Sequence, residues 1–131
     1  MASQPTQLTL RVDFGETVRL GPGKVRLLEF IGELGSISAA ARAMDMSYRR
    51  AWLLVDSLNQ AFVEQVVTTR AGGKADKRAE LTPFGQEVIR RFRAMEAAAQ
   101  EVVVSDLRIL ESAIRPHAEP PRMRDPHDSS T

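Results

Sequence analysis

The sequence predicts a mainly α-helical fold with a small β component. Three observations predict it. Apolar residues recur at helical spacing between Lys24 and Gln60, in segments separated by a glycine or a serine suited to end or cap a helix. A β-branched stretch, "EQVVTTR", is followed by the turn "AGGKADK" and the return "RAELT". No proline or glycine then interrupts the chain from Gln86 to Arg115, where the apolar residues form one stripe.

Each element has its own local cause. In "LTLRVDF", Leu8, Leu10, Val12 and Phe14 alternate with Thr9, Arg11 and Asp13, the pattern of a half-buried strand. "ETVRLGPG" is a candidate continuation, punctuated by Gly21, Pro22 and Gly23. From Lys24 to Leu34, the residues Val25, Leu27, Leu28, Ile31 and Leu34 share a helical face, and Gly35 ends that helix. Ser36 caps a second helix built on "AAARAM" and ending near Asp45. Ser47 caps a third, with Trp52, Val55 and Leu58 expected inward and Leu54 a further candidate. The β-branched stretch and its return form a small hairpin. Thr82 and Pro83 then supply a cap and a first-turn proline for the last helix. At 1.5 Å per residue that helix runs roughly 45 Å. Its stripe is Phe92, Met95, Ala99, Val103, Leu107, Leu110 and Ile114. The expected division is one or two N-terminal strands at 1–20, a compact domain at 21–82, a long helix at 83–115 and a disordered tail at 116–131, rich in Pro, His, Arg, Asp and Ser.

Composition narrows the function classes. A chain of 131 residues suits one domain with a modest core. Its 43% apolar and 27% charged content is ordinary for a soluble protein. The absence of cysteine removes disulfides, thiolate metal sites and cysteine nucleophiles. No apolar run approaches the roughly 20 residues that span a bilayer, and "MASQPTQLTL" lacks the layout of a secretory signal, so a cytoplasmic protein without a membrane partner is expected. "GPGK" is not a phosphate loop, because Val25 stands where that motif needs Ser or Thr. His117 and His127 lie in the expected tail, too far apart for a compact metal pair. No serine can be joined to a histidine and a carboxylate in a catalytic triad. The expectation is no enzyme, no cofactor and no metal.

With a formal net charge of only +1, the position of the charges must select the partner. Three helices followed by a hairpin is the layout of a winged helix-turn-helix, whose third helix enters the DNA major groove. The order of residues in "SYRRAWLLVDSLN" suits that role. Ser47, Tyr48, Arg49 and Arg50 stand at the front, and the apolar anchors follow. Arginine grips guanine or phosphate through two hydrogen bonds, and the helix N-terminus adds attraction for phosphate. Tyr48 either contacts DNA or packs against the preceding helix. Ala39, Ala40, Ala41 and Ala43 let the second and third helices approach closely. In the hairpin, Arg70, Lys74, Lys77 and Arg78 stand against the single acid Asp76, a charge pattern suited to the phosphate backbone or the minor groove. Ser36 and Ser38, opening the second helix, complete the candidate DNA-binding set.

Five phrases then occur in order: "GSISAAARAM" after an apolar helix, "SYRRAW" opening the third helix, "LN" at its end, "GGK" in the hairpin, and "LTPFG" opening the long helix. Together, over about 80 residues from Gly23 to Gln100, they resemble the N-terminal DNA-binding domain of the ModE-type molybdate-responsive regulators. LysR-type regulators share the helix-turn-helix and the "LTPxG" phrase, but not "SYxxAW" or the Asn59 position. The resemblance implies a sequence-specific regulator of double-stranded DNA. It also implies a homodimer joined through the long helix, with Phe92, Met95, Ala99, Val103, Leu107 and Leu110 near the two-fold axis and the N-terminal strand taking part. Two departures stand out. The hairpin reads "GGKADKRAELT" where the family often has "GGxxGGGAxLT". The C-terminal oxyanion-binding domains of ModE regulators have no counterpart, so neither an oxyanion site nor another small-molecule ligand is expected. The rival readings are a winged module that binds a protein or heterodimerises with a full-length regulator, and a one-domain sensor of a small ligand or oxyanion.

Overall fold

The computed structural model describes residues 6–70 and 78–116. It is mainly helical, with two small antiparallel sheets. The first sheet pairs β1 (Val12–Phe14) with β2 (Val18–Leu20). Three helices follow, α1 (Pro22–Leu34), α2 (Ile37–Ala43) and α3 (Tyr48–Ala61). The second sheet pairs β3 (Val67–Arg70) with β4 (Arg78–Leu81), and α4 (Pro83–Ser112) closes the fold.

The caps act as their chemistry demands. Ser36 Oγ accepts the N–H of Ala39 at 3.0 Å, and Ser47 Oγ accepts that of Arg50 at 3.1 Å. Thr82 Oγ1 accepts from Gly85 N–H at 2.9 Å, with Pro83 beginning α4. Gly35 ends α1 in the left-handed region, φ 81°, which a glycine enters without strain. Helix α2 ends at Ala43 with Met44 as its C-cap, next to Asp45, whose φ of 56° leaves the helical region.

The core is formed by Val25, Leu27, Leu28 and Ile31 of α1, Ile37, Ala40 and Ala41 of α2, and Ala51, Val55 and Leu58 of α3. Val66, Val67, Ala79, Val88 and Phe92 cover it from the hairpin and α4. Of the four alanines expected to let α2 approach its neighbours, Ala40 and Ala41 are buried, Ala39 is half-buried and Ala43 is exposed.

The structure corrects several sequence expectations. The alternating stretch from Leu8 is not one strand: only Val12–Phe14 pairs, and the chain reverses around Gly15 into β2. Leu34 is about half exposed beside the Gly35 turn. Trp52 is not core. The buried face of α3 is Ala51, Val55 and Leu58, and a residue adjacent to Ala51 is rotated about 100° from it.

Phe92 cannot stand at a surface two-fold axis, because it is wholly buried in the chain's own core. Helix α4 reaches that core only through its first third, where Gly85, Val88 and Phe92 are buried. A Cβ on Gly85 would lie 2.2 Å from the Val66 carbonyl oxygen, so this glycine sets how closely α4 meets the hairpin base. Beyond Phe92 the stripe is open. Met95 and Leu110 are exposed, and Ala99, Val103 and Leu107 are half-buried. The N-terminal segment runs alongside α4: Leu8 N–H donates to Gln100 Oε1 at 2.9 Å, and the Thr6 hydroxyl donates to Glu111.

One ion-pair cluster ties α1 to α4. Arg93 grips Glu29 with Nη2 at 2.8 Å and Nε at 3.0 Å, and also holds Glu96 at 2.7 Å. The hydrogen bonds from Arg93, then from Arg26, hold the Glu29 carboxyl below its ordinary value of 4.5, against the opposing effect of partial burial. The unfolded chain therefore binds a proton more readily than the folded one. The contribution of Glu29 to stability is present above pH 4.5 and is lost as pH falls through its lowered folded value. Replacing Glu29 by glutamine is expected to reduce the acid-side loss of melting temperature, measured by circular dichroism from pH 7 to pH 3.

Candidate nucleic-acid interface

The front of α3 is exposed and cationic. The Ser47 cap fixes its first turn, and the side chains of Tyr48, Arg49 and Arg50 all project to solvent. Tyr48 is 44% exposed. No acid lies in that first turn. Six arginines elsewhere, Arg11, Arg19, Arg26, Arg90, Arg91 and Arg93, are ion-paired. Among the described residues, Arg42, Arg49, Arg50, Arg70 and Arg78 have no such partner, and neither do Arg108 and Arg115, far from α3 in the chain.

The hairpin brings two of these cations together. Arg70 and Arg78 stand directly opposite each other in the β3–β4 register. Like charges placed across a strand pair destabilise it, and an anion between them would relieve the repulsion. Lys74 and Lys77 lie outside the described residues. Ser36 has its Oγ engaged as the α2 cap, and Ser38 is exposed in the first turn of the same helix.

Backbone and side-chain bonds close the hairpin base and hold it in place. Ala79 N–H donates to Gly35 O at 2.9 Å, and Thr82 N–H donates to Val66 O at 3.0 Å. The third anchor is Asn59, in the last turn of α3. Its Oδ1 accepts from Val66 N–H at 2.7 Å and Val67 N–H at 3.3 Å, while its Nδ2 donates to Val67 O at 3.0 Å. One amide thus sets the hairpin against the candidate reading helix. In the sequence, Asn59 stands out only as part of a family phrase. The local signal is an amide near a helix end, a few residues before a strand. Replacing Asn59 by alanine leaves two N–H groups of buried residues without this acceptor, and is expected to cost about 2–3 kcal/mol in urea unfolding.

Between α3 and β3 runs an open groove of about 340 Å³, whose walls include Trp52, Asp56, Asn59, Gln65, Thr68 and Thr69. Among the described residues, no group of three His, Asp or Glu could hold a metal ion, and no helix is long and apolar enough to cross a membrane.

The unpaired cations, capped helix front and flanking hairpin give a surface that can receive a polyanion. Comparison with known proteins agrees with the family phrases. The molybdenum-pterin-binding protein MopB of Rhodobacter capsulatus is 44% identical over 87 residues, which is 66% of this chain and 32% of MopB. The molybdenum transport protein ModE of Azotobacter vinelandii is 33% identical over 97 residues, 74% of this chain and 35% of that protein. The DNA-binding transcriptional dual regulator ModE of Escherichia coli K12 is 29% identical over 102 residues, 76% and 39% respectively. These likenesses support the ModE family. The chain spans about a third of the length of the curated relatives it matches. No family model matches it. The names of these relatives describe molybdenum binding or transport and transcriptional regulation, and none describes an enzyme.

Proposed function

We propose that this chain is a sequence-specific DNA-binding transcriptional regulator of winged helix-turn-helix type that works as a homodimer. In this reading, residues 21–82 bind DNA, with α3 in the major groove and the hairpin, including Lys74 and Lys77, along the backbone. The observation that carries it is the pair Arg49 and Arg50, exposed and without an ion-pair partner among the described residues, on the capped first turn of α3. Arg70 and Arg78 at the adjacent hairpin, and the regulators among the relatives, support the same reading.

The long helix, 83–115, supplies the dimer contact. Its exposed Met95 and Leu110, with half-buried Ala99, Val103 and Leu107, offer apolar surface that a second copy would cover. Phe92 supports the helix from inside rather than meeting the partner.

The test is fluorescence anisotropy with DNA from upstream of the chain's own gene against scrambled DNA, over a salt series, with sedimentation measuring the assembly. Strong preference for the upstream DNA by a dimer supports the proposal. Equal, weak and salt-erased binding to both DNAs would reduce it to backbone attraction. A second reading, a Mop-like molybdenum binder, rests on the MopB likeness. It requires a melting-temperature increase with molybdate in the absence of DNA.

A further inference from the structure

We propose that Trp52 is a specificity-determining residue whose indole meets thymine methyl groups in the major groove. This inference rests on the reading of α3 as the DNA-reading helix. The starting observation is its placement. Trp52 is the chain's single tryptophan and is 43% exposed, although an aromatic of that size gains most when buried.

Its neighbours on α3 give the exposure a direction. Tyr48 lies one turn earlier, at the i−4 position, and Leu53 follows directly; they are 44% and 46% exposed. Trp52 and Leu53 both follow Arg49 by about one turn: Leu53 shares a shallow concavity with Arg49, and Trp52 lines the groove toward β3 beside Asp56. Across the groove stand Thr68 and Thr69 of β3. The result is a mixed surface of apolar bulk beside an unpaired cation.

The chemistry that fits such a surface is narrow. Arginine contacts to phosphate fix position and carry no sequence information. Discrimination requires contact with base edges, and the thymine C5-methyl is the apolar feature of the major-groove edge. An apolar side chain one turn from an exposed arginine gains by covering such a methyl. The indole N–H makes no hydrogen bond within the described residues, so it is free to donate to a neighbouring acceptor.

The experiment starts with selection of preferred sites from a pool of random double-stranded DNA. Each thymine of the selected site is then replaced in turn by deoxyuridine, which removes only the C5-methyl. The wild type is expected to lose about fourfold in affinity at one or two positions in each half-site, the effect of one buried methyl-sized group. Trp52→Ala is expected to bind thymine and deoxyuridine versions equally at those positions, while keeping the wild-type far-ultraviolet circular dichroism. Trp52 emission in the wild type should change on binding.

Wild-type binding to the selected site with indifference to every deoxyuridine would overturn the inference and leave the DNA-binding proposal standing. Equal deoxyuridine sensitivity in wild type and Trp52→Ala would overturn it in the same way. Failure of the wild type to distinguish selected from scrambled DNA would remove the DNA-reading role of α3, and this inference with it.

Discussion

The double substitution Arg49→Ala/Arg50→Ala is expected to weaken binding to the preferred DNA by about a hundredfold or more without unfolding the protein. A bidentate arginine contact to a base contributes about 1–3 kcal/mol of discrimination, and two such residues are removed. Where either arginine holds phosphate instead, the salt dependence decreases, by about one in the logarithmic slope for each phosphate that is no longer neutralised. The two outcomes are separable: weakening confined to the preferred site indicates base reading, and uniform weakening with a shallower slope indicates phosphate binding. Stability should stay within about 0.5 kcal/mol, because both side chains are exposed and unpaired among the described residues. The cap survives, since Ser47 accepts from the Arg50 backbone and not from its side chain. Anisotropy titrations at several salt concentrations, with thermal melts alongside, measure both parts. Wild-type affinity and slope in the double variant would remove α3 as the reading helix.

Replacing Phe92 by alanine is expected to cost about 3–5 kcal/mol of folding stability. The ring is wholly buried where α4 crosses the core, among the largest fully buried side chains in the described chain. Its removal forfeits the transfer energy of the ring and leaves a cavity in the core beneath α4. Domains of this size are stable by about 5–15 kcal/mol in total, so the variant should be partly unfolded under mild denaturant. Met95→Ala and Leu110→Ala form the control pair. Both side chains are exposed in the single chain, so their truncation should leave urea unfolding at low protein concentration nearly unchanged. Under the dimer proposal they should instead weaken self-association, read by sedimentation. A destabilisation below about 1 kcal/mol for Phe92→Ala would show that α4 docks differently from the arrangement described.

The helix boundaries were legible in the residues themselves. Ser36, Ser47 and Thr82 each accept an N–H three residues ahead, and Gly35 tolerates the left-handed backbone turn that ends α1. These interactions reach across a few residues of one segment, so local chemistry determines them. The pairing of the β-branched stretch with the return at 78–81 was likewise expected from neighbouring segments, and the observed register sets Val67 to Arg70 against Arg78 to Leu81.

Burial could not be read in the same way. Ala51 rather than Trp52 occupies the inner face of α3, and helical periodicity alone admits either until α1 and α2 are packed against it. Phe92 belongs visibly to the same stripe as Met95 and Leu110, yet only Phe92 lies over the core, because α4 extends past the domain that supports its first third. Asn59 joins α3 to a strand whose position depends on the whole arrangement. Caps, turns and periodic faces were thus set within short segments of the chain. Which face is buried, which cations remain unpaired and which aromatic meets solvent were decided only when segments distant in sequence came together, since burial is a property of neighbours and not of spacing.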